Sequence, residues 1–168
     1  MPSFERGLHV RLTTFVLTAF AALSSASVGV AAAPPSEAAP RWQVLDAYAG
    51  KVVLVDFWAS WCSPCLQSFP WMNELQRKHA GDGFVVVAVN LDQDRTLADA
   101  FLGKTPATFR VEFDPAGSVA RQFDVQAMPT SVLIDRSGKV RVRHAGFKDK
   151  HRAEREQQIV QLLKEPAA

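Results

Sequence analysis

Apolar residues in this chain fall into short dense runs separated by amphipathic stretches. Lys51 to Trp58 (Lys-Val-Val-Leu-Val-Asp-Phe-Trp) is an almost continuous apolar run rich in β-branched residues, the pattern of a strand covered on both faces. Only Asp56 interrupts it. Leu66, Phe69, Met72 and Leu75 then recur at helical spacing, with Glu74, Gln76, Arg77 and Lys78 on the other side. This predicts a helix to about Ala80 that stops at Gly81-Asp82-Gly83 and is kinked where Pro70 removes a backbone donor. Phe84 to Asn90 predicts a second buried strand, parallel to the first through a right-handed crossover.

Further along, Arg95 to Leu102 predicts a short helix, Phe109 to Phe113 a strand, Asp114 to Gly117 a turn, and Ser118 to Phe123 a helical turn or two. Ser131 to Asp135 and Val140 to His144, joined by Arg136-Ser137-Gly138-Lys139, predict a β-hairpin. His151 to Lys164 closes the chain as an amphipathic helix. The order βαβ, αβ, ββα predicts an α/β fold, a mixed sheet with helices on both faces.

At 168 residues the chain accommodates one folded domain, and a formal charge of +2 is too small for a nucleic-acid or polybasic membrane surface. The first thirty-odd residues differ from the rest. Arg6 and Arg11 precede an apolar core from Phe15 to Leu23, followed by small residues through Ala33. That is the layout of a secretory signal peptide, with an uncleaved anchor as the competing reading. Thr18, Ser24, Ser25 and Ser27 dilute the segment below what about 20 membrane-spanning residues show. The expected organisation is a signal peptide at 1–33, a Pro-rich linker at 34–41 and a folded domain at 42–165. Such a protein is periplasmic or otherwise exported, tethered if the segment stays in place.

Cys62 and Cys65 are the only cysteines. A disulfide closing so short a ring stabilises little, because the gain from cross-linking grows with loop length. Chemistry is the better account of the pair. Trp61-Cys62-Ser63-Pro64-Cys65 falls where a strand ends and a helix begins, so free amide groups and the positive end of the helix dipole favour a thiolate. A thiolate is what attacks disulfides, and Cys62 is expected to be the exposed nucleophile. Cys65, one turn further in, is placed to resolve the mixed disulfide. Asp56 in its apolar run is costly to ionise, so burial is expected to raise its pKa and make it a candidate partner for the Cys65 proton, the alternative being a solvated strand end. Met128-Pro129-Thr130, just before the strand from Ser131, suits either a cis peptide that leaves a backbone edge free for an extended substrate or an ordinary trans proline opening an edge strand.

Together, Val-Asp-Phe-Trp-Ala-Ser-Trp-Cys-Ser-Pro-Cys (55–65), Pro70 and Met-Pro-Thr (128–130) resemble the thioredoxin superfamily. Within it, the export segment, the long interval before Pro129, and the stretches Phe-Asp-Pro-Ala-Gly-Ser-Val-Ala-Arg-Gln-Phe-Asp-Val and Ile-Asp-Arg-Ser-Gly-Lys look like the TlpA/ResA group. The resemblance implies a thioredoxin-like three-layer α/β/α sandwich with a mixed central sheet, and a thiol-disulfide oxidoreductase needing no cofactor. Carried over, Cys62 forms the mixed disulfide, Cys65 resolves it, Trp61 is the neighbouring aromatic, Asp56 the acid below and Pro129 the cis-proline opposite, with Met128 and Thr130 flanking the substrate. The implied partners are client proteins with oxidised cysteines and an electron donor of the DsbD/CcdA type. Three departures stand out. The segment before Val52 leaves at most Trp42 to Leu45 for an N-terminal hairpin, Ser68 replaces a Glu common in the group, and Met-Pro-Thr-Ser differs from the Pro-Glu-Thr type of dedicated cytochrome c maturation thioredoxins.

Direction is open, because the same exchange run backwards is a thiol oxidase. A copper-site assembly role, as thiol reductant or Cu(I) binder, is the rival of another class. His79, His144 and His151 lack zinc-site spacing and read as surface or helix-end residues. Asp92, Gln93 and Asp94 read as a polar loop, and Lys148 to Arg155 as a solvated helix face.

Overall fold

Every residue of the strand Val52–Trp58 is buried, so it lies at the centre of the sheet, as its unbroken apolar run requires. The structure, a computed structural model, describes residues 37–166. The export segment expected at 1–33 lies outside the described residues. In chain order the strands are β1 (Glu37–Ala38), β2 (Val52–Trp58), β3 (Phe84–Asn90), β4 (Arg110–Phe113), β5 (Thr130–Ile134) and β6 (Lys139–Ala145). The α-helices are α1 (Cys65–His79), α2 (Arg95–Lys104), α3 (Ser118–Gln122) and α4 (Arg152–Lys164).

These six strands form one sheet in the order β1-β6-β5-β2-β3-β4. β2, β3 and β4 run parallel, whereas β5 is antiparallel to β2 and β6 to β5. The β5-β6 connection is the predicted hairpin, and Gly138 takes the positive φ of 77° that its turn demands. Glu37 and Ala38, in the stretch read as linker, pair with Val140 and Lys139 and add a two-residue edge strand. In place of an N-terminal hairpin, Gln43–Tyr48 forms a 3-10 helix.

Alternation along β2 splits the interior into two layers. Val53, Val55 and Phe57 face α3 and the 3-10 segment, where Ala120, Phe123, Trp42 and Leu45 pack. Leu54 and Trp58 face α1, α2 and α4, through Phe69, Met72, Phe101 and Ile159. Helical layers thus cover both faces of a mixed sheet, the expected three-layer α/β/α sandwich. Trp58, Phe69 and Phe101 lie within 5.1 Å of one another, centroid to centroid, and anchor the first turns of α1 against the end of β2. Pro70 lies inside α1, where helical spacing placed it. Among the described residues no helix is long and apolar enough to cross a membrane.

Candidate active site

β2 ends at Trp58 and α1 begins at Cys65, so the loop 59–64 delivers the two cysteines to the N-terminus of a helix. Its approach is fixed by a buried acid. Asp92, just beyond β3, accepts from the Ser60 amide at 2.8 Å, the Ser60 hydroxyl at 2.9 Å and the Asn90 side-chain amide at 2.8 Å. Leu91 N–H donates to the Trp58 carbonyl at 2.9 Å. Asp92 lies in the expected polar loop, but its side chain is withdrawn from solvent. It is buried, and it ties the end of β3 to the residue two before Cys62.

Cys62 and Cys65 are joined by a disulfide. Trp61 stands out into solvent at 70% exposure, whereas Cys62 is 3% exposed and Cys65 fully buried. The expected exposed nucleophile is thus covered in the disulfide form. Bonded to Cys65, Cys62 belongs to the same apolar cluster as Trp58 and Phe69. The expected free amides also need correction, since those of Cys65, Leu66 and Gln67 donate to the carbonyls of Cys62, Ser63 and Pro64 in tight turn bonds. What remains to favour a thiolate is the helix dipole. Ser68, buried under this turn, donates its hydroxyl to the Cys65 carbonyl at 3.2 Å.

Asp56 is 1% exposed and lies on the sheet face shared with Leu54 and Trp58, beneath α1. Its register partner on β5 is Ser131, whose hydroxyl donates to Asp56 Oδ1 at 2.7 Å. Oδ2 has no hydrogen-bond partner among the described residues. Burial pushes the Asp56 carboxyl up from 3.8 to about 7, against the opposing pull of the Ser131 bond and the Arg155 charge. The expected elevation is present, and it places the titration of this acid near neutrality.

The Met128–Pro129 peptide is cis. Met128 packs against the cluster that holds both cysteines, and the Thr130 hydroxyl donates to the Ala127 carbonyl at 2.7 Å. The Pro129 carbonyl is not free, because it accepts from Gly146 N–H at 2.7 Å. Gly146, the partner of Pro129, lines one cleft with Pro64 of the cysteine loop.

His144 and Arg155 depart from their sequence readings, whereas His79 is the helix-end residue expected, though buried. His79, at the end of α1, is buried and bonds Glu156 of α4 at 3.1 Å, and His144 is half-buried and bonds Gln158 at 2.8 Å. Arg155, read as part of a solvated face, is 7% exposed. In the folded helix Arg155 shares the inward stripe of α4 with Ile159 and Leu162. Nothing local marked Ser131, which acquires its role through strand pairing.

The family model described as Redoxin matches residues 33–161. The chain is 35% identical over 96 residues to the thiol-disulfide oxidoreductase ResA of Bacillus thuringiensis subsp. konkukian, covering 57% of this chain and 56% of that one. To ResA of Geobacillus kaustophilus it is 33% identical over 111 residues, 66% of this chain and 64% of that one. It therefore spans less than two thirds of these curated relatives. A crystal structure of a candidate thiol:disulfide interchange protein DsbE from Chlorobium tepidum superposes with a TM-score of 0.74 at 46% identity, covering 79% of this chain and 99% of that one. With this match over most of its length, and a paired dithiol at the head of a helix on a mixed sheet, the chain belongs to the Redoxin family, as a TlpA/ResA-like protein of the thioredoxin superfamily.

Proposed function

We propose that this protein is an exported thiol-disulfide oxidoreductase that reduces disulfides in client proteins through Cys62 and Cys65. The observation that carries this reading is the Cys62–Cys65 disulfide at the head of α1, on the sheet face where Asp56 is buried. In the reducing direction the Cys62 thiolate attacks a client disulfide and expels one client thiolate. Cys65 then gives its proton to Asp56 and attacks the Cys62 sulfur, releasing the second client sulfur. The dithiol loses two electrons and the client disulfide gains them. An acid titrating near neutrality suits that proton transfer, because it can both take and return a proton at working pH.

Trp61, exposed beside the disulfide, supplies the client-facing surface, with the half-buried Met128 at its edge and the buried Pro129 and Thr130 behind it. Residues 1–33 act as the export signal and 42–165 as the working domain, with a periplasmic or otherwise exported location. A membrane donor of the DsbD/CcdA type regenerates the dithiol. The names of the ResA relatives and the location of the Cys pair support this reading.

Equilibrating the protein with glutathione or dithiothreitol buffers and trapping its thiols tests direction. A potential near the thioredoxin value of about −270 mV is expected of a reductant. A value near about −120 mV, that of DsbA, would replace reduction by oxidation of client thiols.

A further inference from the structure

Arg155 is a buried cation that the exchange chemistry described above does not use. Its Nη2 donates to the Gly146 carbonyl at 2.8 Å, and the guanidinium lies 5.6 Å from the Phe147 ring centroid. Nη1 is buried without a hydrogen-bond partner among the described residues. Asp56 presents the complementary defect, a buried Oδ2 that also lacks one. Ser131 links the two sites. Its hydroxyl bonds Asp56 Oδ1, and with Arg155, Leu54, His144 and Ile159 it lines a cavity of about 10 Å³. A buried charge is tolerated only where an opposite charge compensates it, and on this face of the sheet each of these two groups is what the other has.

We infer that Arg155 is the positioning residue for Asp56: its guanidinium, carried in on α4, is the counter-charge that holds the Asp56 carboxylate ready for the Cys65 proton. The inference rests on the reading of Asp56 as proton acceptor in the resolving step. In that step the Cys65 S–H proton passes to the Asp56 carboxylate, the Cys65–Cys62 bond forms, and the bond from Cys62 to the client sulfur breaks. The client sulfur leaves as thiolate with the electron pair. The step needs an ionised Asp56 at the start. Burial opposes ionisation, and the Ser131 hydroxyl stabilises only one oxygen.

The other groups around the pair do not substitute for Arg155. His144 on β6 is held toward its neutral form by burial and by the Arg155 charge itself. Glu154, the neighbour of Arg155 on α4, adds a negative charge that attracts Arg155 and offers Asp56 no compensation. Lys148 and His151 lie at a cleft of about 520 Å³ beside Pro64, which also has Arg155 in its wall. Arg155 thus lines both this cleft and the small cavity that Ser131, the partner of Asp56, also lines.

The test follows the carboxyl carbon of Asp56 by NMR titration in the dithiothreitol-reduced protein, alongside the pH profile of exchange with a disulfide-bonded peptide. In Arg155→Met the Asp56 midpoint is expected to rise by about one pH unit, and the acid limb of the exchange profile to rise with it. Arg155→Gln, which keeps a donor for the Gly146 carbonyl, is a second neutral variant in case Met disturbs folding. Arg155→Lys, which keeps the charge, is expected to restore both readouts toward wild type. A merely structural role would lower rates at every pH and leave the midpoint in place, and an unmoved Asp56 midpoint in the neutral variants overturns the inference. A midpoint that moves while the acid limb stays put instead overturns Asp56 as the proton acceptor, the reading beneath it.

Discussion

Ser131 on β5 donates to Asp56 on β2 at 2.7 Å, across paired positions of the two antiparallel strands. The bond satisfies one oxygen of a carboxyl that burial holds at about 7 instead of 3.8. An acid whose pKa is raised on folding binds a proton more tightly in the native than in the unfolded state. Stability therefore falls as pH rises from about 4 to about 7 and is level above that. Asp56→Asn removes the titration. Urea unfolding of the disulfide form should show the variant gaining about 4 kcal/mol on wild type between pH 4 and pH 8, the energetic equivalent of the shift. A constant difference across that range would mean that the acid is not buried as described.

The resolving role proposed for Cys65 predicts a trapped intermediate. Cys65→Ser leaves Cys62 able to attack a disulfide but removes the sulfur that completes the exchange. Mixed disulfides to Cys62 should accumulate and be visible on non-reducing gels, and Cys62→Ser should form none. Adducts of equal yield through Cys65 in Cys62→Ser would reverse the assignment.

Asp92 holds Ser60 by two bonds and Asn90 by a third while itself buried. Asp92→Ala leaves those donors unpaired, which should cost about 2–4 kcal/mol in chemical unfolding and slow exchange by loosening the approach to Cys62. Asp92→Asn, able to accept at one oxygen only, should fall between the two. A loss under about 0.5 kcal/mol for the Ala variant would show that the clamp contributes little.

Arg136 bridges three segments, donating to the carbonyls of Gly50 before β2, Asp82 before β3 and Leu163 in the last turn of α4 at 2.9, 2.9 and 3.2 Å. A Cβ at Gly83 would sit 3.1 Å from Nη1, so the guanidinium would have to give by a few tenths of an ångström. Because the site is partly solvated, Arg136→Met should cost only about 1–2 kcal/mol, read as a lower urea midpoint. Exchange per folded molecule should be unchanged, since none of these contacts touches the loop 59–64. A variant with normal stability and impaired exchange would contradict this division.

The elements were legible where their pattern is local. The apolar run 52–58, the helical spacing after Cys65 and the Gly-containing hairpin turn each declare themselves within a dozen residues, and their observed bounds lie within about two residues of expectation. Asp56 could be singled out because a carboxylate inside such a run is costly wherever the rest of the chain goes. Cys62 and Cys65 could be paired because three-residue spacing at a helix start brings two sulfurs together without distant help.

Other features depend on which distant segments meet. Arg155 sits among alternating acids and bases, and its burial follows only once α4 lies against the sheet beside Ser131 and Leu54. The polar run at Asp92 becomes a clamp only because β3 ends beside the loop that carries Ser60. The amino-acid order alone thus determined the kinds of element, their sequence and the redox pair, since period and spacing are properties of neighbouring residues. Tertiary structure decided which charges are buried and what compensates them: Arg155 near Asp56, His79 on Glu156, Cys62 covered in its disulfide form. Removal from water is a property of assembled layers, and no window of sequence contains both sides of such a contact.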